Sequence, residues 1–98
     1  MEKIALVVTI EYKPESKALF LQALSEHKQR CLEAEPGTLQ FEILSPAENA
    51  NLVVLFELYA NSQALSTHDA SPSLAIFKEQ AGSYITKISG QQCVVLNS

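Results

Sequence analysis

The fold of this chain is decided by residues 35–72, which read EPGTLQFEILSPAENANLVVLFELYANSQALSTHDASP. Two apolar runs in it are separated only by a short polar loop, which is the pattern of a β-hairpin. The second run, 52–59, carries Glu57 and Tyr59, which share one face of a strand because strand side chains alternate. A short helix, capped by Asn61 or Ser62, then presents His68. The stretch predicts a hairpin on which a carboxylate, a phenol and an imidazole converge, either as a small-molecule site or as three satisfied structural residues.

Signals on either side of this stretch complete the order of elements. The further predicted elements are a strand over 4–12, a helix over 18–32 that ends before Pro36-Gly37, a helix that starts at Ser71-Pro72, and a strand over 86–96. The order is therefore strand, helix, strand, strand, helix, strand. It predicts one α+β domain over residues 1–98 with the ferredoxin-like βαββαβ pattern and an antiparallel sheet.

The predicted strands are apolar on both faces, whereas the helices of such a fold cover only one face of the sheet. A second copy of the same sheet is the simplest cover for the other face, which predicts a homodimer. The composition agrees, because 47% of the residues are hydrophobic and only 18% are charged. So apolar a surface on so small a chain is typical of self-association.

Charge and hydropathy argue against two classes of partner. The formal net charge is −4, and the seven basic residues are scattered without forming a patch, which argues against nucleic acid. No segment approaches the ~20 apolar residues that span a bilayer, which argues against a membrane protein. The apolar residues 4–10 are too few for a signal peptide with a cleavage site, so we expect a cytoplasmic protein.

Glu57 and His68 are the strongest candidates for chemistry. Glu57 lies among apolar side chains, so it should be ion-paired, neutral or functional, and Arg30 or a lysine could be a structural partner. His68 follows Ala64 and Leu65 on the apolar side of its helix, where an imidazole suits proton transfer. A histidine at a helix end can also serve only to bind the free carbonyl groups there.

The spacing of metal-binding residue types predicts no metal. The two histidines fall on different helices, the two cysteines, Cys31 and Cys93, are remote in sequence, and no His-x-His, His-x-x-x-His or Cys-x-x-Cys occurs. Both cysteines are best interpreted as small buried hydrophobes, and His27 as a satisfied histidine of the core or its rim. The aromatic residues are first of all core candidates, and some could line a pocket for a planar ligand. The candidates for such a lining are Phe41, Phe77 and Tyr84.

A string of single positions along nearly the whole chain resembles a known family. These positions are Glu35-Pro36-Gly37, the Phe41-Glu42 strand, Phe56-Glu57-Leu58-Tyr59, Ala64-Leu65 and His68. The pattern is similar to the antibiotic-biosynthesis monooxygenase domain. The resemblance implies a dimeric α+β barrel in which two sheets pack face to face and each subunit holds a pocket between its sheet and its helices.

The resemblance also implies an activity. It points to a cofactor-independent monooxygenase that oxidises a quinol-like or polyketide-like aromatic substrate with dioxygen. His68 would be the base, Glu57 its orienting partner or a second proton carrier, and Tyr59 would make a hydrogen bond to the substrate. Haem-degrading relatives use a tryptophan, and this chain has none. The alternatives are an isomerase or degrading enzyme for a small phosphorylated carbonyl compound, and a non-catalytic ligand-binding dimer.

Overall fold

A computed structural model describes residues 2–97. The strands are β1 (Ile4–Tyr12), β2 (Thr38–Leu44), β3 (Leu52–Tyr59) and β4 (Ile85–Val94), and the helices are α1 (Lys17–Ala34), α2 (Ser62–Asp69) and α3 (Pro72–Ala81). Short 3₁₀ turns cover Pro14–Ser16 and Gly82–Tyr84. The strands form one antiparallel sheet in the order β2-β3-β1-β4. The ferredoxin-like α+β fold is thus confirmed, while the barrel of two subunits stays a prediction.

The core lies between the helices and one face of the sheet. Along β3 the side chains alternate, so that Val53, Leu55, Glu57 and Tyr59 are buried and the residues between them are only half-buried. On α1 the buried stripe consists of Phe20, Ala23, Leu24, His27 and Cys31. Tyr12 of β1 stacks on Phe20 with 4.8 Å between ring centroids. The carboxylate of Glu57 therefore enters the core beside α1. None of the helices among residues 2–97 combines the length and the apolar character needed to cross a bilayer.

The two helices that follow β3 begin where the sequence predicts. The Asn61 side chain accepts a hydrogen bond from the Ala64 backbone N–H at 2.9 Å and caps α2. The Ser71 hydroxyl accepts one from the Leu74 N–H at 3.2 Å and caps α3. These caps satisfy backbone donors that a helix leaves free at its start. They fix the place of α2, and with it the place of His68 near the end of that helix.

Strand β2 departs from strict alternation. Thr38 pairs with Tyr59, but Gln40 pairs with Leu58, so Leu39 is an extra residue in the ladder. This bulge leaves Leu39 exposed, although simple alternation groups it with the buried Phe41. In β4, Gly90 pairs in register with Val8, and the ladder of β1 and β4 shifts register between Glu11 and Tyr12.

Gly37 allows the turn before β2 to contact α2 closely. A Cβ at this position would lie 2.5 Å from the Cβ of Ala64, and the Gly37 carbonyl accepts a hydrogen bond from the Ala60 N–H at 2.9 Å. We expect Gly37→Ala to lower the free energy of unfolding by about 1–3 kcal/mol through overpacking. Urea unfolding would measure this.

A double variant and a second glycine provide the controls for Gly37. Ala64→Gly added to Gly37→Ala should recover part of the lost stability, because it removes the clashing methyl group. Gly82→Ala should be close to neutral or stabilising, since a Cβ there meets nothing within 4 Å. Equal effects of the two Gly→Ala changes would contradict the steric explanation.

Candidate active site

His68 is held by a carboxylate at the end of α1. Its Nδ1 donates to Oε1 of Glu35 at 2.8 Å, and both side chains are buried, with 4% and 7% of the side chain exposed. The Thr38 hydroxyl donates to the same oxygen at 3.0 Å. Backbone bonds from Glu35 N–H to the Cys31 carbonyl and from Thr38 N–H to the Glu35 carbonyl fix the turn that carries this carboxylate. Because an ionised Glu35 can only accept hydrogen bonds, Nδ1 carries the proton of this bond, and Nε2 of His68 is left as the basic nitrogen of the neutral ring.

A second carboxylate faces this nitrogen. Oε1 of Glu57 lies 3.7 Å from Nε2 of His68, and the Tyr59 hydroxyl donates to the same oxygen at 2.5 Å. Glu57 and Tyr59 are neighbours on one face of β3, as the strand period predicts. The structural partners considered for Glu57 in the sequence, Arg30 or a lysine, are not its contacts among the described residues.

The two carboxyl groups have opposite electrostatic environments. Burial raises the pKa of Glu57, against the hydrogen bond from Tyr59 and the nearby His68. Burial also acts to raise the pKa of Glu35. The hydrogen bonds from His68 and Thr38, together with the electrostatic effect of His68, nevertheless hold this pKa below its usual value. Burial, together with the charge and hydrogen bonding of Glu57, raises the pKa of Tyr59. Glu35 is therefore suited to remain ionised and Glu57 to hold a proton, which is the pattern of an acid and base pair.

Glu57 and His68 open into one cavity between the sheet and the helices. Its volume is about 210 Å³, and most of its wall is apolar. The lining residues are Leu6, Val8, Ile10, His27, Leu55, Glu57, His68, Asp69, Leu74, Phe77, Lys78 and Ile88. A larger and more open depression of about 500 Å³ reaches Glu35 but contains neither Glu57 nor His68. The smaller cavity is the candidate site, because both groups suited to proton transfer border it.

The structure does not bring all of the predicted site residues to this cavity. Phe77 lines the cavity, but Phe41 and Tyr84 do not. Phe41 is fully buried, with its ring edge against His27 at 5.6 Å, and Tyr84 packs on the core in the turn after α3. Tyr59 is also absent from the lining, and its hydroxyl proton is donated to Glu57. It therefore positions that carboxyl group and has no free donor for a substrate.

His27 and Cys31 form a buried cluster with His68, which was not predicted from the sequence. The His27 ring stacks on Phe77 at 4.7 Å, and Cys31 Sγ lies 3.6 and 3.7 Å from its two nitrogens. The same sulfur is 3.8 Å from Nδ1 of His68. Burial, aided by His68 and Arg30, lowers the pKa of His27 to about 4, and burial with the nearby Glu35 raises the pKa of Cys31 to about 12. Both groups are neutral near pH 7, and His27 is a poor base.

Glu35 was likewise absent from the predicted site residues. The signal for it lies in the spacing of His27, Cys31 and Glu35, which follow one another at intervals of four residues. Residues at this interval share a face of a helix. The stripe is visible only if α1 extends to Ala34, two residues beyond the predicted end.

Comparison with known proteins gives a consistent assignment. The family model for the antibiotic biosynthesis monooxygenase domain matches residues 3–80. Among curated proteins no significant match is found. Solved structures of proteins provisionally named antibiotic biosynthesis monooxygenases have the same fold. The protein from Caulobacter crescentus has a TM-score of 0.93 at 18% identity, with 98% of this chain and 92% of that chain covered.

Two further structures agree. The protein from Nitrosomonas europaea has a TM-score of 0.90 at 19% identity and covers 97% of this chain and 91% of its own. The one from Bacteroides thetaiotaomicron has a TM-score of 0.87 at 23% identity, with 96% and 90% covered. At these identities the structures support the fold, whereas the family model covers most of the sequence. The chain therefore belongs to the antibiotic biosynthesis monooxygenase family.

Proposed function

We propose that the protein is a cofactor-independent monooxygenase that uses dioxygen to oxidise a small quinol-like or polyketide-like aromatic substrate. The observation that carries this proposal is the Glu35–His68 pair, whose free Nε2 borders a mainly apolar cavity beside Glu57. A buried carboxylate that holds the far nitrogen of a histidine fixes its tautomer and stabilises its protonated form. We further propose that the protein acts in the cytoplasm.

In the proposed reaction Nε2 of His68 removes the proton from a substrate hydroxyl. The resulting anion reduces dioxygen, and a C–O bond forms to give a peroxide at the adjacent ring carbon. Loss of the C–H proton from that carbon breaks the O–O bond, so that one oxygen atom stays as a new carbonyl and the other leaves as hydroxide. The proton held on His68 converts the hydroxide to water. The substrate supplies every electron, so the overall change is quinol plus O₂ to hydroxyquinone plus water.

The other side chains of the cavity have roles consistent with this reaction. Glu57, with its pKa raised by burial, can relay the C–H proton, and Tyr59 holds it in place. Phe77 offers a flat aromatic face and Leu55 an aliphatic contact to a substrate ring. The cavity volume of about 210 Å³ is below the ~300–1,000 Å³ of drug-sized ligand sites, which favours a substrate of one or two rings.

Oxygen uptake with a panel of monocyclic and bicyclic quinols tests the proposal. We expect enzyme-dependent uptake of one O₂ per quinol with formation of the hydroxyquinone, and label from ¹⁸O₂ in both the product and water. Uptake with hydrogen peroxide as the product, or none above the uncatalysed rate for any member of the panel, would contradict the proposal.

One observation favours the runner-up activity, isomerisation of a small phosphorylated carbonyl compound. Lys78 of α3 lies in the cavity wall and could pair with an anionic group on a substrate. The same histidine would then shuttle a proton between adjacent carbons. A thermal-shift screen would separate the two activities, because phosphorylated ligands would raise the Tm of the isomerase and quinols would not.

We also propose a homodimer that is closed through the sheet face opposite the helices. On that face Val54, Phe56 and Leu58 of β3 are half-buried, and Leu44 at the edge of the sheet is exposed. A tight dimer of this kind would bury roughly 2,000 Å² or more. Sedimentation at micromolar concentration should show only dimer.

Two matched variants test which face is used. Phe56→Arg should give a monomer or prevent accumulation of folded protein, because a charge would be buried in the interface. Leu19→Arg, on an exposed position of α1, should leave the dimer unchanged. A soluble wild-type monomer at micromolar concentration, or a dimer broken only by Leu19→Arg, would contradict the proposal.

A further inference from the structure

Three metal-ligating side chains converge behind the cavity. His27 and Cys31 come from successive turns of α1, and His68 comes from α2. One ligand atom from each lies within 4.8 Å of the others, and all three residues are buried. His27 and His68 also line the cavity, so an ion could reach the cluster from that side. No element of the proposed oxidation uses His27 or Cys31.

The distances are close to those of an occupied site. With bonds of about 2.3 Å to sulfur and about 2.0 Å to nitrogen, a tetrahedral zinc site separates its sulfur and nitrogen ligands by roughly 3.5 Å. Cys31 Sγ is 3.6 Å from Nε2 and 3.7 Å from Nδ1 of His27, and 3.8 Å from Nδ1 of His68. The His27 ring must therefore turn to direct one of its nitrogens at the ion. The ligand atoms of the two imidazoles lie within 4.8 Å of each other. Two nitrogen ligands of a tetrahedral zinc site are ~3.3 Å apart, so the two rings must approach each other by up to about 1.5 Å.

Glu35 is the candidate for the fourth ligand of the ion, because one of its carboxylate oxygens lacks a hydrogen bond of good geometry in the described part of the chain. Glu35 is the next residue on the same stripe of α1, and its Oε1 is 2.8 Å from Nδ1 of His68. Its Oε2 is buried and has no hydrogen bond of good geometry within residues 2–97, although Ser71 and Cys31 lie close enough to interact with this carboxylate. A buried oxygen without a partner is costly, and coordination of a cation would remove that cost.

We propose that His27, Cys31 and His68 bind one thiophilic divalent ion of the zinc class, with Glu35 as the fourth ligand. Sulfur and imidazole ligands together select Zn²⁺ over the oxygen-seeking Mg²⁺ and Ca²⁺. The thiolate and the carboxylate balance the charge of the ion, and the thiol proton leaves to solvent. A site with four protein ligands has no open position, so the ion is not a reaction cofactor.

The ion would instead be an inhibitor. Coordination through Nδ1 leaves the proton of His68 on Nε2, where it faces Glu57, and removes the free base. This consequence rests on the proposed oxidation, whereas binding itself does not. Removal of bound metal with a chelator should therefore leave the oxidation rate unchanged or increase it, and added zinc should lower that rate.

Titration of metal-stripped full-length protein with Co²⁺ and then Zn²⁺ tests the site without any substrate. We expect one Co²⁺ per chain, a thiolate-to-cobalt charge-transfer absorption in the near ultraviolet, and its loss on addition of Zn²⁺. Zinc at a hundredfold excess over its Kd should raise the Tm by roughly 10 °C or more. Cys31→Ser should abolish the charge-transfer band and weaken zinc binding by about 10²-fold or more. Cys93→Ser, which alters the other cysteine, should change neither.

A second variant keeps the test valid if Cys31→Ser does not fold. His27→Gln should weaken zinc binding by a similar factor, and far-ultraviolet circular dichroism of the metal-free variants checks their fold. Absence of stoichiometric binding, a cobalt band that survives Cys31→Ser, or a band lost only in Cys93→Ser would each overturn the proposal. An unchanged catalytic rate with zinc bound would contradict only the proposed inhibition and not the proposed zinc site.

Discussion

Replacing His68 with alanine is expected to reduce turnover of an identified quinol by about 10²–10⁴-fold, the usual contribution of a general base. The reason is that Nε2 of His68 is the basic nitrogen at the cavity wall, and the only other imidazole there, that of His27, has its pKa lowered to about 4 by burial. The measurement is the initial rate of oxygen uptake at saturating quinol. KM should change much less than kcat, because the loss falls on the chemical step.

His68→Ala also removes the buried partner of Glu35, so a fall in stability has to be separated from a fall in rate. His68→Gln retains a side chain that can donate to Glu35, and it should fold while it remains slow. Added imidazole should restore part of the activity of His68→Ala, because that variant enlarges a cavity that the small base can enter. Unchanged turnover in both folded variants would identify His68 as a helix-terminal structural residue.

The fold was predictable because its signals are local. The alternation of β3, the caps at Asn61 and Ser71, and the Pro36-Gly37 turn each depend on a few adjacent residues, and each was found at its expected place. The bulge at Leu39 was not predictable, because the register of β2 is set by β3 and not by its own sequence. At the start of α1, Ser16 makes no side-chain capping bond, and a 3₁₀ turn leads into the helix.

The candidate site was only partly predictable. Residue type and face were enough to select His68 and Glu57, since a charged group among apolar neighbours stands out in a sequence. The role of Tyr59 could not be predicted from the sequence. A shared strand face brings Glu57 and Tyr59 together, but it does not show which of the two side chains borders the cavity. Glu35 was hidden by the true length of α1, which extends to Ala34 and places that carboxylate opposite α2.

Glu35 and Glu57 contact the same imidazole from opposite sides, yet their expected roles differ. Glu35 accepts hydrogen bonds from His68 and Thr38, which stabilise its charged form. Glu57 receives one from Tyr59 and lies deep beside the cavity, where burial favours its neutral form. The imidazole is therefore oriented by an anion on one side and faces a proton carrier on the other.

Replacing Glu35 with glutamine is expected to reduce kcat by about 10³-fold with little change in KM, since a buried carboxylate that orients a catalytic histidine acts through its tautomer and its protonated form. The amide can donate to Nδ1, which would move the imidazole proton to Nε2 and remove the base. Nitrogen NMR of His68 should show that change of tautomer, which would not occur if Glu35 had only a structural role.

Glu35→Asp should retain more activity than Glu35→Gln because it keeps the charge. Glu42→Gln, on the surface beside Lys28, is the matched control and should leave kcat unchanged. A folded Glu35→Gln enzyme with the wild-type rate and the wild-type tautomer would show that His68 does not depend on this carboxylate.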